Sequence, residues 1–322
     1  MSTDRGGMPA VLPDSSNVGE DTWDDAAPPR LTRRRFALHG GTTGALALPD
    51  DIATAKSAGF DAIEISDEKL MAFAAGGGEL ADVRTMLAGL ELGALGFYGS
   101  PDRTAVTRWR DRAMRESWRG FCARAAAVGC THVIVTPGVG DEADSAQMAE
   151  RAAALGAMAD VAAELALVTA LEFHGFRGCA VRTLAAARDL VDRARAGVLV
   201  VIDAFHFHAG GSTWAMLDGL DAASVALVRL EDADARLPET LTDADRLLPG
   251  DGVIPLRDLV RRVEALGADV PYSVNLNVRG GDQRDERGYG QWGASRLATV
   301  ARESAEALCA EVDEQDGRLD YA

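Results

Sequence analysis

The chain has few cysteines and no basic excess. Its four cysteines, Cys122, Cys130, Cys179 and Cys309, include no CxxC pair and fit no zinc-module spacing. They read as reduced, mostly buried thiols of a cytoplasmic protein. Asp and Glu number 50 against 33 Lys and Arg, a formal net charge of −17. Phosphate binding needs a basic face, so nucleic acid is excluded as a partner, and a bare anionic membrane surface is disfavoured for the same reason. No apolar run is long enough to span a bilayer. No glycine-rich dinucleotide fingerprint follows the first strand-like segment, which weakens an open, doubly wound sheet as an alternative architecture.

What is present suits a single large domain. A length of 322 residues accommodates one eight-stranded α/β barrel of roughly 250 residues with extensions. A hydrophobic fraction of 47% and a charged fraction of 26% are ordinary for a globular chain with a sizeable core. Residues 1–31 carry Pro, Gly, Ser and acidic residues without periodicity and read as a disordered acidic arm. Residues 32–314 read as the barrel and 315–322 as a short tail.

The run Thr32-Arg33-Arg34-Arg35-Phe36-Ala37-Leu38 has the look of a twin-arginine export motif. The stretch after it is short and weakly apolar, is closed by Asp50-Asp51, and lacks a clear small-residue cleavage site. We read it as the first barrel strand. From Arg35 onward short apolar runs alternate with longer helical segments, the rhythm of parallel strands joined by crossover helices. The expected strands are Phe36–His39, Ala62–Ser66, Gly93–Tyr98, His132–Thr136, Thr169–Phe173, Leu199–Asp203, Ala226–Glu231 and Tyr272–Leu276. The clearest expected helices are Arg103–Val128, Ser145–Leu165, Thr183–Arg195 and Pro255–Leu266. Continuous apolar runs such as Val198–Ile202 suit strands covered on both faces. The expected fold is a (β/α)8 TIM barrel.

Active sites of such barrels lie at the C-terminal ends of the strands. The polar residues expected there are Glu64, Glu172, His174, Asp203, His206, His208, Arg229, Glu231, Asp232 and Asn275. A charge inside an otherwise apolar strand is costly unless it is paired or functional. Glu172, Asp203 and Arg229 are therefore the most informative residues.

Three stretches carry a family resemblance: Leu171-Glu172-Phe173, Ile202 to Gly211 (IDAFHFHAGG), and Leu241 to Leu256 (LTDADRLLPGDGVIPL). They resemble the sugar phosphate isomerase/epimerase family of the xylose-isomerase-like TIM barrels. The resemblance extends from about Phe36 to about Ala310, and it is most specific over residues 200–256. It implies a small-molecule substrate and, in relatives such as ketose epimerases, inosose dehydratases and dehydroshikimate dehydratases, one divalent metal. Those relatives hold the ion with Glu, Asp, His and Glu, one from each of the last four strands. It also implies a homo-oligomer, although no interface is readable.

Two of the four positions match, Glu172 and Asp203. The other two hold Arg229 in place of His and Asn275 in place of Glu. A guanidinium does not deprotonate and does not ligate metals. Three carboxylates with a dication carry a formal charge of −1, and so do two carboxylates with one guanidinium. The expectation is that Arg229 fills the space of the ion and pairs with Glu172 and Asp203, and that no metal cofactor is needed. The alternatives are a shifted Mn²⁺ or Mg²⁺ site built from Glu172, Asp203, Asn275 and a rescue ligand such as Glu231 or His206, and a non-catalytic ligand-binding barrel. Five histidines are too few for a multi-metal nuclease of this superfamily.

With Asn275 in place of the second base, a single-base isomerisation or elimination is expected rather than two-base epimerisation. The catalytic set is Glu172 as base or acid, His206 as proton shuttle, Asp203 and Arg229. Arg246, Asn275, His208, Glu64 and His174 are expected to meet substrate. A rewritten site of this kind suits a specialised biosynthetic pathway.

Overall fold

The computed structural model describes residues 33–99, 106–138, 145–194, 197–278 and 289–317. The chain runs β1 (Phe36–His39), α1 (Leu48–Ser57), β2 (Ala62–Ser66), α2 (Asp67–Ala75), α3 (Leu80–Leu87), β3 (Gly93–Tyr98), α4 (Arg112–Val128), β4 (His132–Val135), α5 (Ser145–Ala163) and β5 (Val168–Glu172). It continues with α6 (Leu184–Ala194), β6 (Leu199–Asp203), α7 (Ala204–Ala209), α8 (Trp214–Asp218), β7 (Val225–Arg229), β8 (Asp232–Ala233) and β9 (Arg246–Leu247). The last elements are α9 (Leu256–Ala265), β10 (Tyr272–Val274) and α10 (Ala294–Gln315).

All strands but β8 and β9 form a closed barrel in the order β1–β10–β7–β6–β5–β4–β3–β2. Neighbours are parallel throughout, and the first strand seals against the last, with Phe36 beside Tyr272 and Leu38 beside Val274. The expected (β/α)8 barrel is therefore the observed fold. The arm over residues 1–31 lies outside the described residues.

The helices earn their places by simple local rules. Pro49 occupies the first turn of α1, where its missing N–H costs nothing. Gly129 ends α4 at a φ of 85°, a left-handed cap that a side chain would strain. The expected helix from Arg103 is broken near its start: residues 106–108 are helical, a turn follows, and α4 begins at Arg112, with Arg115 Nη1 donating to the Trp109 and Arg110 carbonyls of that turn.

The arginine run at the start is consumed by the fold. Arg33 pairs with Asp61 and Glu91, Arg34 with Glu264 and Asp313, and Arg35 with Asp269. These contacts tie the entry of β1 to the loops and helices around the N-terminal end of the barrel. Arg34 does so from a largely buried position between α9 and α10.

Side chains alternate along each strand, so residues two apart share a face. Ala37, Ala62, Ala170, Val201 and Leu227 point inward and join Leu95 and Ile134 in an apolar plug that fills the lower barrel. Two residues further along the same strands stand His39, Glu64, Glu172, Asp203 and Arg229, all buried. The site is thus a polar layer stacked directly on an apolar one. Above it, β8 and β9 form a small antiparallel ribbon, pairing Asp232 with Leu247 and Ala233 with Arg246. This ribbon turns the segment after β7 back and delivers Arg246 to the barrel mouth.

Candidate active site

Arg229 sits at the end of β7 and is 1% exposed. Its guanidinium bridges two carboxylates from opposite arcs of the barrel. Nε and Nη2 donate to Glu64 Oε1 and Oε2 at 3.1 and 2.7 Å, a two-pronged pair, and Nη1 donates to Glu172 Oε1. Glu64 Oε1 also accepts from Ser273 Oγ at 2.6 Å. Burial by itself would raise the pKa of both acids, but Arg229 holds Glu64 below and Glu172 well below the ordinary carboxylate range.

This arrangement corrects two expectations. Arg229 does pair with Glu172, but its second partner is Glu64 and not Asp203. Glu64, expected to meet substrate, is completely buried with both oxygens engaged. The physical reason is reach: Glu64 projects inward from β2 at the height of Arg229, whereas Asp203 is drawn upward by a different cation.

That cation is Arg246. Its Nη1 lies 3.2 Å from Asp203 Oδ2 and 3.1 Å from Glu231 Oε1, and its Nε lies 3.2 Å from Asp243 Oδ1. Its Nη2 meets His206 Nε2 at 3.2 Å, and its plane covers the Phe205 ring at 4.5 Å. Arg246, expected to meet substrate, is 4% exposed and forms a buried hub of ion pairs. Asp203 Oδ1 also caps α7 by accepting from His206 N at 2.7 Å.

Burial and the neighbouring Asp203 charge push Glu231 well above the usual range, while Arg246 and His206 hold Asp203 below it. Glu231 and Asp232 point to opposite faces, as strand alternation requires. Glu231 faces the centre and accepts from Phe205 N, whereas Asp232 accepts from Ala233 N and Ile254 N in the ribbon.

The histidines divide by environment. His206 is buried, and desolvation lowers its pKa to about 3. Because an arginine only donates, Nε2 of His206 is its acceptor and Nδ1 carries the proton. Nδ1 has no partner. His174 stands at the rim, its ring 4.4 Å from that of His206. Burial opposes its charge, but Cys179 and Glu172 beside it more than offset this and raise it to about 9. His39 is stacked on Tyr98 at 4.1 Å and accepts from Gly41 N, and burial lowers it to about 3. His208 is half-buried beside the ribbon, and its Nε2 has no partner among the described residues.

Asn275, just beyond β10, is buried with no partner for Oδ1 among the described residues, and a Cβ on Gly41 would stand 3.3 Å from that oxygen. An orphan acceptor next to a bare glycine backbone suits a substrate hydroxyl. Ser273 and Asp243 were not anticipated. Ser273 had a signal: it lies two residues before Asn275 on the same inward face. Asp243 had none, because its contact depends on the ribbon.

The family's ion position does not fit a metal here. A guanidinium lies against Glu172 at that height, and Asn275 supplies only a neutral oxygen. One other group of donors among the described residues could hold a metal: Glu172, His174 and His206 place one ligand atom each within 4.8 Å of one another.

Comparison with known proteins agrees with this reading of the barrel. A family model described as a xylose isomerase-like TIM barrel matches residues 52–308, and the chain belongs to that family. It is 28% identical to an inosose isomerase of Bacillus velezensis over 237 residues, 71% of this chain and 83% of that one. It is 28% identical to an inosose isomerase of Halalkalibacterium halodurans over 190 residues, 58% of this chain. That match spans 66% of the relative, just under two thirds of its length. A solved structure of an IolI protein with a bound zinc atom superimposes with a TM-score of 0.75 at 22% identity, covering 87% of this chain and 98% of that one. At that identity the likeness is one of fold. Among the described residues no helix is long and apolar enough to cross a membrane.

Proposed function

We propose that this protein is an enzyme of the isomerase or lyase class that uses single-base proton transfer on a small polyhydroxylated or keto substrate, with Arg229 standing where relatives hold a metal ion. One observation carries the reading: a buried guanidinium bridges Glu64 and Glu172 at the metal-binding height of the barrel. The similarity to inosose isomerases supports a sugar- or cyclitol-type substrate.

Three of the five N–H groups of Arg229 have carboxylate partners, which leaves two to hold a developing enolate oxygen. Glu172 binds Arg229 through Oε1 and has Oε2 for a substrate proton. The base takes the proton beside the carbonyl, the C–H electron pair enters the new C=C bond, and the carbonyl oxygen takes the negative charge. Return of the proton to the former carbonyl carbon, while the neighbouring hydroxyl passes its proton to the enolate oxygen and becomes the new C=O, completes an isomerisation; loss of a β-hydroxyl, protonated as it leaves while the carbonyl re-forms, completes an elimination. Because its pKa is held low, Glu172 is a weak base, and a guanidinium is a weaker electrophile than a dication. Both facts favour substrates whose C–H bond is already acidified by a carbonyl. His206 and Asn275 would position hydroxyls, and His174 and His208 would line the rim.

The test is solvent exchange. Keto-inositols and ketoses are incubated with the protein in D₂O, and deuterium uptake is followed by NMR with and without chelator, alongside elemental analysis of the purified protein. The expected result is exchange that chelator leaves unchanged and Glu172→Gln abolishes. Exchange that requires added Mn²⁺ or Mg²⁺ would remove Arg229 from the ion's role.

A further inference from the structure

Glu172, His174 and His206 form a constellation that the proton transfer above does not explain. The Nε2 atoms of His174 and His206 stand 3.8 and 3.9 Å from one oxygen, Glu172 Oε1. These separations are too long for hydrogen bonds. They suit a bridging cation: an ion midway among the three would lie roughly 2.2–2.5 Å from each, close to the ~2.0–2.1 Å of a zinc–imidazole bond.

The backbone holds both imidazoles in place. His174 N donates to Val181 O at 3.2 Å, closing the loop after β5, and His206 sits in the first turn of α7 with its N–H on Asp203. Cys179 stands beside the His174 ring and would fix its orientation, as outer-shell partners do for ligating histidines.

We propose that Glu172, His174 and His206 form a three-ligand site for a borderline divalent ion of the zinc type, displaced from the family's position, and that an ion bound there blocks the enzyme by occupying Glu172. The blocking half rests on the role given to Glu172 under the proposed function; the binding half does not. Two imidazoles and one carboxylate select zinc or cobalt over magnesium, which prefers oxygen. The fourth position would be water, as in open zinc sites. Two contacts must give way, that of Arg246 Nη2 with His206 Nε2 and that of Arg229 Nη1 with Glu172 Oε1, and the guanidinium charge stays beside the ion. Binding is therefore weaker than at a closed structural zinc site.

The experiment is a Co²⁺ titration of the full chain followed by visible absorption, with Zn²⁺ as competitor. One cobalt per chain is expected, with the bands of a four-coordinate ion and displacement by zinc. His174→Ala and His206→Ala should each weaken binding by more than the roughly 10- to 100-fold that loss of an outer-shell partner costs. Asn275→Ala, at the family's position, should leave it within about threefold, as expected for a residue outside the shell. Unchanged thermal unfolding of the variants shows that loss of binding is not loss of fold. No cobalt band, or binding that survives both histidine variants, overturns the site. Deuterium exchange in the same samples separates the two readings. Cobalt bound as expected with exchange abolished supports both halves. Cobalt bound as expected with exchange stimulated keeps the site, overturns the blocking role and removes the metal-independent mechanism. Chelator-insensitive exchange without cobalt binding removes the site alone.

Discussion

Replacing Glu64 with Gln isolates the electrostatic keystone of the barrel without changing its volume. Arg229 is 1% exposed and Glu64 is completely buried. The substitution leaves the guanidinium with Glu172 as its remaining anion and turns an amide N–H₂ towards Nη2. Removing one partner of a buried pair costs about 3–5 kcal/mol, because the other charge stays desolvated. The surviving bond to Glu172 places the expected loss near the lower end, about 3 kcal/mol. Unfolding entropy scales with length, so a barrel of this size gains roughly 0.6 kcal/mol/K at its midpoint, and the melting temperature should drop by about 5 °C. Urea unfolding at pH 7 followed by circular dichroism measures the loss directly, provided the slope is unchanged. Glu116→Gln is the control, since Glu116 pairs with Arg112 on an exposed helix face where such pairs contribute about 0–1 kcal/mol. If the two variants unfold alike, Arg229 does not depend on Glu64 and the bridging arrangement is wrong.

Other consequences follow from the same residues. His39 and His206 are lowered from 6.5 to about 3, so below pH 6.5 the unfolded chain takes up protons that the native one refuses. Stability from these two is present above pH 6.5 and falls towards pH 3, by up to about 2.7 kcal/mol per pH unit; a thermal-melt series should show it, and His39→Gln should halve the slope. His174 has the opposite sign: raised to about 9, its contribution is present below pH 6.5 and is lost between there and pH 9, an alkaline loss that His174→Gln should remove. Arg246→Met leaves Asp203 and Asp243 without their cation, and it should open the β8–β9 ribbon to proteolysis between residues 234 and 245 before the barrel itself unfolds. Arg229→His with Asn275→Glu should create the four-ligand position of the family, read as stoichiometric Mn²⁺ retained after desalting; a double variant that stays metal-free would count against the equivalence of those strands.

The barrel was readable from the chain because its strands are short apolar runs, each followed by a helix. β1, β2, β3 and β6 fall at the residues expected. The misplaced ends are instructive. β7 stops at Arg229 rather than Glu231, and β10 at Val274 rather than Leu276. In both, the polar site residues leave the ladder to face the mouth, so the pattern continues after the pairing stops. Glu172 and Arg229 stood out as charges in apolar strands, and they do meet. The choice between Glu64 and Asp203 as the second partner was not readable, because β2 and β6 are both distant from β7 in sequence and only barrel radius and side-chain height decide it. Arg246 was placed near the mouth by its motif. Its burial depends on a two-residue ribbon too short to leave a periodic signal.

The arginine clasp at the entry of β1 also bears on how the protein is made. Arg34 leaves the ribosome 279 residues ahead of its partner Asp313. At ordinary synthesis rates of about 5–20 residues per second the first strand waits roughly 14–56 s for the helix that secures it. During that interval β1 has β2 on one side and an unpaired edge on the other, with three guanidiniums at its entry. Those charges discourage a second nascent chain from adding to the open edge. Until β10 and α10 arrive, the run that later locks the seam serves as the guard of an unfinished sheet.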